Sequence, residues 1–148
     1  MNKLLQAGDR APSLPLFEEI LAGGPALLVF FKVSCPVCQL TLPFLERLAK
    51  SGSMRVFGVS QDDAKATGRF AKEFGVTFPM LLDQESAGYA ASNAFGISTV
   101  PSLLLIEPGG KVAYSGEGFV KRDLEDLGRR AGVEVFRQDD YVPEWKAG

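Results

Sequence analysis

The only two cysteines of this chain stand together as Cys35-Pro36-Val37-Cys38, at the point where the hydrophobic period changes. Before them runs Ala26-Leu27-Leu28-Val29-Phe30-Phe31, a continuous apolar segment of strand length, as expected for a central strand buried on both faces. After them Leu42, Leu45, Leu48 and Ala49 recur at helical spacing, and Pro36 suits a first helical turn. The spacing predicts a helix over 36–50, bent by the internal Pro43 and ended by Ser51-Gly52. A thiol at such a strand-to-helix junction meets unpaired N–H groups and the positive end of the helix dipole, which favour the thiolate. Disulfide exchange is the chemistry this position favours. A zinc half-site or an inert buried pair are the alternatives the motif leaves open. The metal reading is weakened by the rest of the chain, which has no histidine, and two thiolates cannot complete a four-ligand zinc site.

At 148 residues the chain is expected to be one main domain, able to bury about two-thirds of its unfolded surface. A net charge of −2 gives no reason to expect nucleic acid or an anionic membrane as partner. No apolar run approaches the roughly 18 residues of a membrane span. Met1 to Gly8 holds one lysine and two consecutive apolar residues, without the apolar core of a signal peptide. The sequence as it stands reads as cytoplasmic, and a leader preceding it would place the protein outside the cytoplasm.

Along the chain, Phe17 to Leu21 reads as a short helix and Met54 to Val59 as a second buried strand. Ser60, Asp62 and Asp63 offer caps to a helix that runs to Phe74 and stops at Gly75. Phe78 to Asp83 is a short extended piece, and the alanine-rich stretch from Glu85 to Phe95 reads as one helix. Ser102 to Ile106 and Lys111 to Tyr114 form a hairpin around Pro108-Gly109-Gly110, and Val120 to Ala131 is a last helix. Strands alternating with helices and a closing hairpin make an α/β fold, a mixed central sheet with helices on both faces. Residues 1–133 form the domain. Residues 134–148, polar with Tyr141, Pro143 and Trp145, read as a loosely held C-terminal extension.

Four separated features together resemble the thioredoxin superfamily: the Cys-x-x-Cys after the first central strand, Pro43 in the helix it opens, Thr99-Val100-Pro101 before the hairpin, and Gly118 before the last helix. Gly8-Asp9-Arg10-Ala11-Pro12 and the stretch Phe74 to Asp83 are similar to the TlpA-like and ResA-like oxidoreductases and to peroxiredoxins, the AhpC/TSA-redoxin branch. The resemblance implies a three-layer sandwich with an inserted strand–helix unit between Val59 and Phe95. It implies a thiol–disulfide oxidoreductase that exchanges electrons with protein disulfides, with Cys35 as nucleophile and the more buried Cys38 as resolving thiol. Pro101 would be cis and, with Val100, would align the client strand. Phe31, Ser34, Pro36 and Gly118 would complete the client site. No cofactor is implied beyond the redox-active disulfide. An external electron donor and protein clients are implied, on a monomer.

The departures concern proton handling. Thioredoxins bury an aspartate where this chain has Val29, and ResA-like proteins carry a glutamate where it has Thr41. Thr41 is therefore a candidate for holding a relay water, while Lys32 and Glu46 are expected to face solvent. Phe31 and Ser34 stand where thioredoxin has aromatic rim residues. A thiol peroxidase is one alternative reading, although Leu28 and Lys32 replace the proline and hydroxyl residue of the peroxiredoxin pattern. A non-catalytic peptide-binding module is the other.

Overall fold

The computed structural model describes residues 3–148. The first helix, α1 (Pro15–Ala22), leads into β1 (Ala26–Phe31), which is buried along its whole length. Then follow α2 (Pro36–Lys50), β2 (Arg55–Ser60), α3 (Ala64–Phe74) and the short β3 (Met80–Leu82). A short helix α4 (Ala90–Phe95) precedes the hairpin of β4 (Ser102–Ile106) and β5 (Val112–Glu117). The chain closes with β6 (Phe119–Val120), α5 (Lys121–Ala131) and β7 (Trp145–Lys146).

Five strands form one sheet in the order β3-β2-β1-β4-β5. β1, β2 and β3 run parallel, and β4 and β5 are antiparallel to their neighbours. Side chains of β1 alternate between two cores, as a strand period of two requires. Leu27, Val29 and Phe31 pack with α2, α3 and α5, while Leu28 and Phe30 pack with α1 and α4. The result is the mixed, helix-covered α/β sandwich expected from the sequence. Among the described residues no helix is long and apolar enough to cross a membrane.

Three sequence expectations are corrected. The stretch Glu85 to Phe95 is not one helix: a 3-10 turn at Glu85–Ala87 is separated from α4 by Gly88 and Tyr89, both left-handed at φ 67° and 51°. Alanine-rich propensity is outweighed there by Asp83, which is buried and accepts the Ala91 and Ser92 amides and the Ser92 hydroxyl, fixing where α4 begins. Glu46 does not face solvent. It is 5% exposed, and its carboxylate accepts the Thr77 and Phe78 amides and the Thr77 hydroxyl, which offset its desolvation. The tail is not loosely held along its length. Val135 is buried, Phe136 packs on Phe44 at 4.8 Å, and Asp140 forms a two-pronged ion pair with Arg47. Tyr141 and Trp145 remain exposed.

Candidate active site

Sheet register gathers the site at one edge. β1 and β4 are antiparallel, with Phe30 opposite Ser102, so the exit of β1 and the approach to β4 meet. Cys35 follows the first and Val100-Pro101 precedes the second. β5 returns antiparallel to β4 with Glu117 opposite Ser102, which delivers Gly118 to the same edge. The Gly118 amide donates to the Pro101 carbonyl at 2.8 Å. β2, parallel to β1, brings Ser60 beside Phe31 and so delivers Asp62 there as well.

Cys35 is the N-cap of α2. Its half-buried sulfur accepts the Cys38 amide N–H at 3.1 Å and donates to the Val100 carbonyl at 3.6 Å. The Cys35 thiol is thus fixed between a helix N-terminus and the backbone that precedes the cis Val100–Pro101 peptide. Cys38 is wholly buried. Burial pushes its thiol well above the usual cysteine range, and its hydrogen bond with Cys35 adds to this. A contact with the Lys32 main chain opposes the shift, and the charges of Cys35 and Asp62 reinforce it. Both thiols are free. One half-buried and one occluded thiol at a helix start make a pair suited to thiol–disulfide exchange, the outer sulfur placed to attack and the inner one to resolve.

The other expected site residues divide. Ser34 and Pro36 are exposed on the rim, Val100 is half-buried, and Pro101 is buried behind it. Phe31 is not a rim residue: it has no exposed surface and its ring lies 5.1 Å from that of Phe70. As the last residue of a strand covered on both faces, it belongs to the core. Gly118 lies at the groove with φ 74°, and a Cβ there would stand 2.4 Å from the Lys146 carbonyl, so only glycine allows this approach. Thr41 is fully buried and its hydroxyl donates to the Val37 carbonyl at 2.7 Å, an ordinary within-helix bond. Leu28 is buried in β1 and Lys32 is exposed. Among the described residues no group of three or more histidine, cysteine or acidic side chains could hold a metal ion.

One residue near the pair gives no sign of that place in the sequence. Asp62, which reads there as a capping option, accepts the Val33 amide at 2.8 Å, while Asp63 takes the N-cap of α3 and accepts Ala66 N–H. Two adjacent aspartates are indistinguishable as caps until the register of β1 against β2 is known.

Comparisons with known proteins agree with this geometry. The thiol-disulfide oxidoreductase ResA of Halalkalibacterium halodurans is 28% identical over 124 residues, covering 75% of this chain and 68% of that protein. Against the ResA proteins of Geobacillus kaustophilus and Bacillus subtilis the chain spans 60% and 52% of their length, at 27% and 30% identity. The structure of MTB DsbF in its mixed oxidized and reduced forms is similar at a TM-score of 0.65 and 29% identity, covering 77% of this chain and 83% of that one. The thioredoxin domain of a thiol-disulfide oxidoreductase from Bacteroides vulgatus shares the fold at a TM-score of 0.70 and 20% identity, with 85% and 97% covered. The model of the AhpC/TSA family matches residues 14–115, so the chain belongs to that family, as a ResA-like member of the thioredoxin superfamily with Cys35 and Cys38 as its Cys-x-x-Cys pair.

Proposed function

We propose that this chain exchanges electrons with disulfides of protein clients through Cys35 and Cys38, and that it needs an external dithiol donor and no other cofactor. The observation that carries the reading is the division of labour at the helix start: Cys35 half-exposed with the Cys38 amide on its sulfur, Cys38 occluded beneath it. In the reductive direction the Cys35 thiolate attacks one sulfur of a client disulfide. A Cys35–client disulfide forms, and the second client sulfur leaves as a thiolate and takes a proton from solvent. Cys38 then loses its proton and attacks the Cys35 sulfur. The mixed disulfide breaks, the client's remaining sulfur leaves, and the Cys35–Cys38 disulfide remains. The client has gained two electrons and two protons, which an upstream dithiol must return to the pair.

The Val100 carbonyl, next to the attacking sulfur, gives an extended client a main-chain partner, so an edge-pairing mode of recognition fits the site. Ser34 and Pro36 form the exposed rim over which such a strand would run. The names of the ResA relatives support protein redox partners as a class.

Insulin reduction with dithiothreitol tests the reading. The wild-type protein is expected to accelerate precipitation of the reduced chains, and Cys35→Ser to bring the rate back to that of dithiothreitol alone. Equal rates for the two proteins would overturn the reading and leave the thiol peroxidase and the non-catalytic peptide-binding module. Equilibration of the pair in a glutathione series then fixes whether it works as reductant or oxidant.

A further inference from the structure

The groove beside Cys35 already holds a strand. β7 pairs antiparallel with β6, Lys146 opposite Phe119 and Trp145 opposite Val120, as a two-stranded sheet of its own. From there the chain crosses the mouth of the site. The Lys146 carbonyl lies where a side chain on Gly118 would project. A Cβ on Gly148 would stand 2.1 Å from the Val100 carbonyl oxygen and 2.9 Å from the Thr99 hydroxyl. That carbonyl is the one the Cys35 sulfur contacts at 3.6 Å. Residues 145–148 therefore lie along the Gly118 and Val100 backbone, the surface that a client strand needs.

The segment is built to stay near and to let go. Upstream it is anchored: Val135 is buried, Phe136 packs against Phe44 and Phe119, and the Arg47 guanidinium holds both the Val135 carbonyl and Asp140. Residues 144–148 themselves are exposed, with Trp145 63% exposed and Lys121–Glu144 an open ion pair at 3.6 Å. Few side-chain contacts oppose their release, so main-chain pairing is what seats them. They contain no cysteine, because the two in the chain are Cys35 and Cys38. They can fill the client position and cannot react there.

We infer that residues 145–148 are an internal strap that occupies the client-strand position, so that an extended, disulfide-bearing peptide docks by displacing it. This rests on the client reading of the Val100–Gly118 edge proposed above. The strap lowers the effective affinity for strand-forming clients by the fraction of time the groove is open. A small disulfide that needs no strand pairing escapes that cost.

The test uses the full chain with Cys38→Ser, so that the mixed disulfide persists. An extended cysteine peptide activated as a disulfide with an aromatic thiol is mixed with it. The Cys35 thiolate takes the peptide sulfur, and the aromatic thiolate leaves and is counted by its absorbance. Trp145 is the only tryptophan of the chain, and its anisotropy is expected to fall as the peptide seats. Gly148→Ala places a methyl against the Val100 carbonyl, and deletion of 145–148 removes the strap. Both changes are expected to speed peptide exchange at least about fivefold, while exchange with hydroxyethyl disulfide stays within about twofold. Unchanged peptide rates in both variants, an equal gain for both substrates, or an unmoved Trp145 anisotropy would overturn the strap. No peptide exchange at Cys35 in any protein, with hydroxyethyl disulfide still reacting, would instead overturn the client reading beneath it.

Discussion

At the scale of single residues, the pace of the proposed exchange is expected to depend on Cys38. Burial holds its thiol neutral well above neutral pH, yet the resolving step needs its thiolate. The two acids that related proteins place nearby are replaced by Val29, buried in β1, and Thr41, whose hydroxyl is engaged by Val37. Release of a trapped mixed disulfide is therefore expected to be slow near neutral pH and to rise about tenfold per pH unit, the slope of a single deprotonation. Thr41→Val is expected to leave both rate and slope unchanged in stopped-flow decay. Asp62 raises the Cys38 titration through its charge, so Asp62→Asn is expected to speed release roughly two- to threefold while keeping an acceptor for the Val33 amide. If Asp62→Asn slows release instead, Asp62 is the proton acceptor. A flat pH profile would mean that another resident base does this work.

At the scale of elements, helix α2 carries the chemistry on one end and supports the insert on the other. Glu46, two turns beyond Cys38, ties α2 to the loop before β3 through the Thr77 and Phe78 amides. Glu46→Ala removes the acceptor of three donors. Because Thr77 is exposed and its amide can rehydrate, a loss of about 2 kcal/mol is expected, read from urea midpoints at constant slope. Wild-type stability in that variant would show that the loop is held by other contacts. This support was not legible in the sequence, where a glutamate inside an amphipathic helix reads as solvated. β1 and α2 were legible to the residue, because a fully buried strand and a proline-started helix leave strong local patterns. The break at Gly88-Tyr89 was not, because Asp83, the group that fixes the start of α4, lies outside the helix it caps. The thiol pair and Pro101 could be placed from motif order alone. Asp62 depended on strand register, whereas the burial of Phe31 follows from the continuous apolar run that it ends and runs against its place in the resemblance.

For the whole molecule, the tail joins helix α2 to the β6 edge beside the site. Its apolar anchors are sparse, Val135, Phe136 and Val142, so the sequence shows no period from which its docking could be read. The Arg47–Asp140 pair connects the tail to α2. The Arg47 guanidinium, with the Arg137 amide, holds the Asp140 carboxyl down to about 2, against about 3.9 for an aspartate in an unfolded chain. A carboxyl depressed in the folded state stabilises that state above its unfolded value and loses the contribution as pH falls toward the folded one. Asp140→Asn cannot ionise and lacks this contribution at every pH. The wild-type protein is therefore expected to melt at a higher temperature than Asp140→Asn at neutral pH, and the gap is expected to close as pH falls from about 4 to about 2. Comparing the two proteins at each pH cancels the titration of the other carboxylates. A gap that persists at the acid end would mean that Asp140 acts through its shape and neutral hydrogen bonds. If there is no gap at neutral pH, the ionised pair adds nothing and the tail is held by its apolar packing and main-chain bonds.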